Sequence, residues 1–176
     1  NLIFNFEPNQ SNEKEFIELI DKAITSAPNK GIQSRLLSFK ASVFHEIGNV
    51  KEALNNIDNA LVLAPEDISL HQQKVYILSS SNKKLEAIDL IDYIIEQFEE
   101  ERFKMLQTKS VIYYQMKEFE SALKANDETI NQFPKDQYES KYTSILNNRA
   151  LILAELGRKE EAIETAKEMI ESKKED

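Results

Sequence analysis

Alanine recurs along this sequence at a nearly constant interval, and that period constrains the fold more than any other feature. Ala53, Ala87, Ala122 and Ala162 follow one another after 34, 35 and 40 residues. Each alanine lies in a segment whose apolar residues return every three or four positions, which is the period of an α-helix. A repeat of this length indicates a stack of similar helical units that bury their apolar faces against one another.

The clearest unit runs from Leu36 to Pro65 and reads LLSFKASVFHEIGNVKEALNNIDNALVLAP. It predicts two amphipathic helices that meet at a turn containing Gly48 and end at the proline. Phe44 and Ile57 are expected to fill the space beside three small residues that let the two helix backbones approach closely, namely Ala41, Ala53 and Ala60.

The spacing Leu-x2-Lys-Ala-x2-Phe, then Ala-x3-Ile-x2-Ala and a closing proline, resembles the tetratricopeptide repeat, whose period is 34 residues. Three of the four prolines close such a unit, and two of the three glycines lie at its turn. A generic helical bundle would show heptads without this punctuation. The resemblance implies an all-α fold, a right-handed superhelical stack of helix-turn-helix hairpins, also described as an α-α superhelix solenoid.

The pattern divides the chain into segments that are expected to form one domain. They are an N-terminal cap segment with the helix of a partial repeat (1–33), a first repeat (34–67), a degenerate repeat (68–102), a third repeat (103–137) and a C-terminal repeat with a polar tail (138–176). Helices are predicted over 11–27, 68–80 and 84–99. The longer last interval predicts either a longer loop or an extra helical turn around 135–141. The apolar start, Leu2 to Phe6, is expected to cap the array.

Composition excludes several classes of function. The net charge of −9 disfavours binding to nucleic acid and to anionic membranes. The absence of cysteine excludes disulfides, thiolate metal sites and cysteine nucleophiles. No apolar run is long enough to span a bilayer, and no signal peptide is visible, so we expect no membrane insertion and a cytoplasmic protein.

Catalytic motifs are absent from the sequence. It contains no glycine-rich phosphate loop and no serine nucleophile elbow, and His45 and His71 are too far apart for a metal-spaced pair. The sequence therefore predicts a protein that is not an enzyme and that holds no cofactor or metal.

Basic residues occupy one phase of each predicted first helix, at Lys40, Lys74, Lys109 and Arg149. They could form a basic ladder for an acidic ligand. The alternative, which we favour, is that their aliphatic stems pack between helices while their charges reach solvent.

The family resemblance also implies which residues bind a ligand, because first helices of such hairpins line a concave groove for a peptide or a partner helix. Carried over by phase, the candidates are Arg35, Ser38, Ser42, His45, Gln72, Tyr76, Lys104, Gln107, Val111, Tyr114, Asn147 and Leu151. Tyr76 and Tyr114 are candidate anchors. Tyr76 could equally pack against a neighbouring unit, whereas Tyr114 is expected to be exposed because Tyr113 has the core phase.

Two hypotheses for function follow. In the first, the chain is a non-catalytic scaffold that binds a peptide or helix of a partner protein in the concave groove. In the alternative, it is a self-associating or structural segment of a larger protein, which caps or dimerises through its apolar N-terminal end. The expected partners are thus a protein or peptide, with a homo-oligomer as the second possibility.

Overall fold

The computed structural model describes residues 10–133 and 135–172, and these residues form nine α-helices, one 3-10 turn and no strand. The helices belong to two compact units, Asn1–Lys83 and Lys84–Asp176. The first unit contains α1 (Gln10–Thr25), α2 (Lys30–Glu46), α3 (Val50–Leu63) and α4 (Ile68–Ser80). The second contains α5 (Lys84–Gln97), the 3-10 turn (Glu99–Glu101), α6 (Arg102–Gln115), α7 (Phe119–Gln132), α8 (Lys135–Glu155) and α9 (Lys159–Ser172).

The helices lie close to where the sequence predicts them. Helix α4 has the predicted bounds, and α5 ends two residues early because the 3-10 turn follows it. The long last interval is taken up by the start of α8, so the extra helical turn is the correct alternative. The predicted cap, Leu2 to Phe6, the closing Pro134 and the end of the polar tail lie outside the described residues, and the cap remains a prediction.

Short polar side chains start α2, α3 and α4. Asn29 accepts a hydrogen bond from the backbone N–H of Ile32 at 2.9 Å, and Asn49 accepts one from that of Glu52 at 3.2 Å. Asp67 does the same at the start of α4. Each cap satisfies an N–H group that has no partner within its own helix, which fixes where the helix begins.

Close contact between α2 and α3 is made by alanine, as the sequence predicts. Ala41, Ala53 and Ala60 are completely buried, and Ile57 is completely buried beside them. Phe44 is half-buried and packs against the same cluster. Small side chains therefore set the distance between the helices, and the large ones fill the remaining volume.

The second unit buries polar side chains within its core. Ala122 and Leu153 belong to an apolar cluster formed by α7 and α8. On α7, Asn126 and Thr129 are also buried, at positions where α3 has Ile57 and Ala60. The Asn126 side chain donates to the Ile145 carbonyl at 3.2 Å, and the Thr129 hydroxyl bonds within its own helix. Hydrogen bonds thus replace part of the apolar contact at this joint.

Three hairpin turns share one geometry, and two of them use glycine. Gly48 and Gly157 have φ of 78° and 74°, the left-handed region that a side chain disfavours. Lys117 occupies the same place after α6 with φ of 62°. In each turn the next N–H donates to the carbonyl five residues earlier, as from Glu118 to Tyr113 at 3.0 Å. A lysine therefore holds a conformation that suits glycine.

The basic residue that recurs on each first helix forms an ion pair with a neighbouring helix. Each cation contacts an aspartate on the preceding helix, at the α1–α2, α3–α4, α5–α6 and α7–α8 contacts: Lys40 with Asp21, Lys74 with Asp58, Lys109 with Asp92, and Arg149 with Asp127. The cationic side chains are only 14–27% exposed. Their stems are packed, as the favoured interpretation predicts, but their charges are paired. The basic residues are therefore not a free ladder for an acidic ligand.

The turn after α6 yields a first prediction. Lys117→Gly should raise the free energy of unfolding by about 0.5–1 kcal/mol, because relief of the left-handed conformation outweighs the added chain entropy of glycine. Chemical denaturation measures the change. Gly157→Ala is the matched reverse change and should lower stability, since no atom lies within 4 Å of the added Cβ and only backbone strain is introduced. A loss of stability in Lys117→Gly would contradict the assignment.

The ion pairs yield a second prediction. Asp127→Asn should lower the free energy of unfolding by about 1–2 kcal/mol, because Arg149 is largely buried and loses a charged partner 2.7 Å from its Nε. Urea denaturation measures the loss. Asp89→Asn on the exposed face of α5 is the control and should change stability by less than about 0.5 kcal/mol. Equal effects of the two substitutions would show that the pair adds nothing.

Candidate peptide-binding faces

In the first unit, the face formed by α2 and α4 is joined by one glutamine. The Ser38 hydroxyl donates to Gln73 Oε1 at 2.6 Å. Gln73 Nε2 donates back to the Ser38 carbonyl at 2.9 Å and to the Ser42 hydroxyl oxygen at 2.8 Å. Two predicted ligand-binding serines are therefore already engaged by the fold.

An aromatic pair lies farther along the same two helices. The His45 and Tyr76 rings meet edge to face with centroids 5.1 Å apart, and His45 Nε2 lies 2.8 Å from the Ser80 hydroxyl. Because that hydroxyl donates its proton to the Tyr76 carbonyl at 2.7 Å, Nε2 must be the donor to it. His45 is thereby held in place, while the Tyr76 side chain remains 61% exposed. Tyr76 is thus available to a ligand.

In the second unit, α6 and α8 enclose an apolar cleft with a volume of about 160 Å³. We call it the α6–α8 cleft, and its lining is Ser110, Val111, Tyr114, Asn148, Leu151 and Ile152. Val111 and Leu151 are large apolar side chains that are 42% and 51% exposed. Three of the residues predicted to line the groove, Val111, Tyr114 and Leu151, thus line the same cleft.

Tyr114 is more enclosed than the sequence predicts. Its side chain is half-buried, and its ring meets Phe119 edge to face with centroids 5.5 Å apart. Its hydroxyl donates to Glu155 Oε1 at 3.2 Å. Desolvation raises the pKa of Tyr114, and the Glu155 carboxylate raises it further. The expectation of an exposed Tyr114 is therefore wrong: the neighbouring helix and Phe119 cover it, and it forms one wall of the cleft.

The remaining predicted residues are dispersed. Arg35, Lys104 and Asn147 are exposed, and Gln72 is half-buried. Gln107 is also half-buried, and within the described part of the chain its side-chain nitrogen is buried without a hydrogen-bond partner. That donor lies on α6 one turn before Val111, on the side of the helix that forms the cleft.

Sequence reasoning did not find three residues that shape these faces. Gln73 and Glu155 each contact a side chain on another helix, and Asn148 lines the α6–α8 cleft. The prediction of groove residues used only positions along a single helix, so it selected the adjacent Gln72 and Asn147 instead of Gln73 and Asn148. No pattern in the sequence marks which of two neighbouring amides faces the adjacent helix or the cleft.

The described residues contain no group of three His, Asp or Glu side chains that could hold a metal ion. His71 is buried, and its Nε2 lies 2.8 Å from the Pro65 carbonyl. Across the same residues no helix is both long enough and apolar enough to cross a membrane. The two faces present hydrogen-bonding groups and exposed apolar side chains.

Two family models match the sequence. A tetratricopeptide repeat model matches residues 143–176. The model described as anaphase-promoting complex subunit 5 matches twice in succession, over 9–81 and 79–137. A comparison of the sequence with curated proteins found no match.

Solved structures match the fold over nearly the whole chain. MamA is 18% identical, with a TM-score of 0.68 over 94% of this chain and 91% of its own. BtubC from P. vanneervenii is 12% identical, with a TM-score of 0.66 over 92% of this chain and 73% of its own. The TPR-like repeats of a Podosopora anserina protein assigned to the kinesin light chains are 12% identical, with a TM-score of 0.72 over 93% and 88%.

These similarities confirm the predicted all-α helical repeat fold. Alanine at the helix contacts, the glycine turns and the phase of the apolar residues agree with it. The chain belongs to the tetratricopeptide repeat family.

Proposed function

We propose that the chain is a non-catalytic scaffold that binds a peptide or helix of a partner protein on the faces lined by its first helices. The fold is that of a protein-interaction scaffold in general. The observation that supports the specific proposal best is the α6–α8 cleft, where predicted ligand-binding residues converge on exposed apolar surface.

The size of the cleft favours one large apolar side chain. An apolar cavity of about 150 Å³ accommodates a molecule of the size of benzene, and this cleft measures about 160 Å³. A leucine, methionine or phenylalanine of the partner would therefore fit. Burial of such a side chain contributes about 1.5–3 kcal/mol, so polar contacts along the rest of the ligand must add to it.

The charge beside the cleft favours a basic neighbour for that anchor. Glu155 uses one carboxylate oxygen to accept from Tyr114, and a carboxylate has further acceptor positions. The chain as a whole carries a net charge of −9, which attracts cationic segments. The ligand we propose is thus a peptide or helix that presents a large apolar side chain and a nearby lysine or arginine.

Peptide display tests this proposal. Peptides selected on the parent chain should share an apolar anchor with an adjacent basic residue, and Leu151→Glu should weaken their binding at least about tenfold, because a charge would enter the cleft. Fluorescence anisotropy measures the affinities, and circular dichroism checks that the helices are retained.

Leu85→Glu is the matched control, because Leu85 is 65% exposed and lies outside the cleft on α5 of the same unit. Its affinity for the selected peptides should equal that of the parent. Peptides that bind Leu151→Glu as well as the parent would show that the α6–α8 cleft is not the binding site.

A further inference from the structure

The outer face of α9, the last helix, carries exposed apolar side chains. Ile163 and Ile170 are 57% and 52% exposed. They are seven residues apart, so they lie two turns apart on one side of the helix, and Lys167 lies between them on the same side. We call Ile163, Lys167 and Ile170 the α9 face.

The same positions on earlier helices are covered. Counted from the repeating alanine, Ile163 corresponds to Ile88 on α5 and to Leu123 on α7, and Ile170 corresponds to Ile95 on α5. Those three side chains are only 5%, 6% and 8% exposed, for Ile88, Leu123 and Ile95. Helix α6 packs against α5, and α8 packs against α7. The α9 face is therefore the surface that carries a further helix at the preceding joints.

The charge on this face is opposite to that of its equivalents. Asp58, Asp92 and Asp127 each follow the repeating alanine by five positions, and each pairs with a cation of the next helix. Lys167 follows Ala162 by the same five positions. It is exposed and makes no ion pair with any residue of the described ranges. A cation thus stands where the repeat otherwise has an anion.

We propose that the α9 face binds an amphipathic helix of a partner protein that carries a carboxylate where this chain's own first helices carry lysine or arginine. The apolar side of that helix would cover Ile163 and Ile170, and its carboxylate would pair with Lys167. A helix of this chain's own type would instead place its cation against Lys167, and like charges at a packed joint are destabilising. The preference for an acidic helix follows from this inversion.

This surface is separate from the α6–α8 cleft, so the two proposals fail independently. The α9 face is on α9, whereas the cleft is lined by α6 and α8. None of the cleft residues needs to contact the helix bound at α9.

A pair of peptides provides the probe. Helix α6 packs against α5, which carries Ile88 and Ile95, the equivalents of the two isoleucines of the α9 face. A labelled peptide of residues 102–116 and the same peptide with Lys109→Glu, closed by the same helix-stabilising staple, are titrated with the full chain. We expect the Lys109→Glu peptide to bind about threefold to tenfold more tightly, the difference between an attractive and a repulsive surface pair.

A charge swap in the chain decides the origin of that preference. Lys167→Asp should reverse which of the two peptides binds more tightly. Ile163→Asp should weaken the binding of both peptides. Because Lys167 is exposed, its substitution should not unfold the helix. If neither peptide binds, or the order is the same for the parent and Lys167→Asp, the proposal is wrong. Self-association that is lost in Ile163→Asp, seen by sedimentation, would make a second copy the occupant and would also overturn it.

Discussion

The ion pair between a partly buried cation and an aspartate on the preceding helix is the interaction on which the arrangement of these helices depends. It recurs at the α1–α2, α3–α4, α5–α6 and α7–α8 contacts. Apolar burial is non-directional, whereas an ion pair requires its two charged groups to lie opposite each other. The pair therefore favours one register at each joint, and the alanines of the repeat allow the two backbones to approach closely.

That use of the basic residues leaves binding to other side chains, and the two units differ in what they offer. In the first, Gln73 joins α2 to α4 and hydrogen-bonds the serines, while the ring of Tyr76 stays exposed. In the second, Val111 and Leu151 leave an apolar cleft. Hydrogen bonds already satisfy the polar groups of the first face, whereas the α6–α8 cleft exposes apolar surface. The cleft is therefore where the proposed peptide would gain most free energy.

The sequence predicts features that depend on residues near one another in the chain, and it does not predict the specific contacts between residues of different helices. Alanine phase and glycine turns are local, so helices, hairpins and the buried Ile57 could be predicted. Val111 and Leu151, which the phase along α6 and α8 selects, line the same cleft. The aspartate partners and the cover over Tyr114 depend on which side chains meet across two helices, and no spacing within one helix encodes that. Lys117 shows the same limit, since the turn imposes a glycine-like conformation on it.

On α9 the charge at the fifth position after the repeating alanine differs from that on α3, α5 and α7. Solenoids commonly end in units with a polar outer surface, which keeps further units from adding. Here the last helix keeps Ile163 and Ile170 exposed but replaces aspartate with Lys167. A further helix of the same type would place its lysine or arginine against Lys167, where the earlier joints have an aspartate. The proposed partner helix is therefore one that covers the apolar surface and whose charge is inverted in turn.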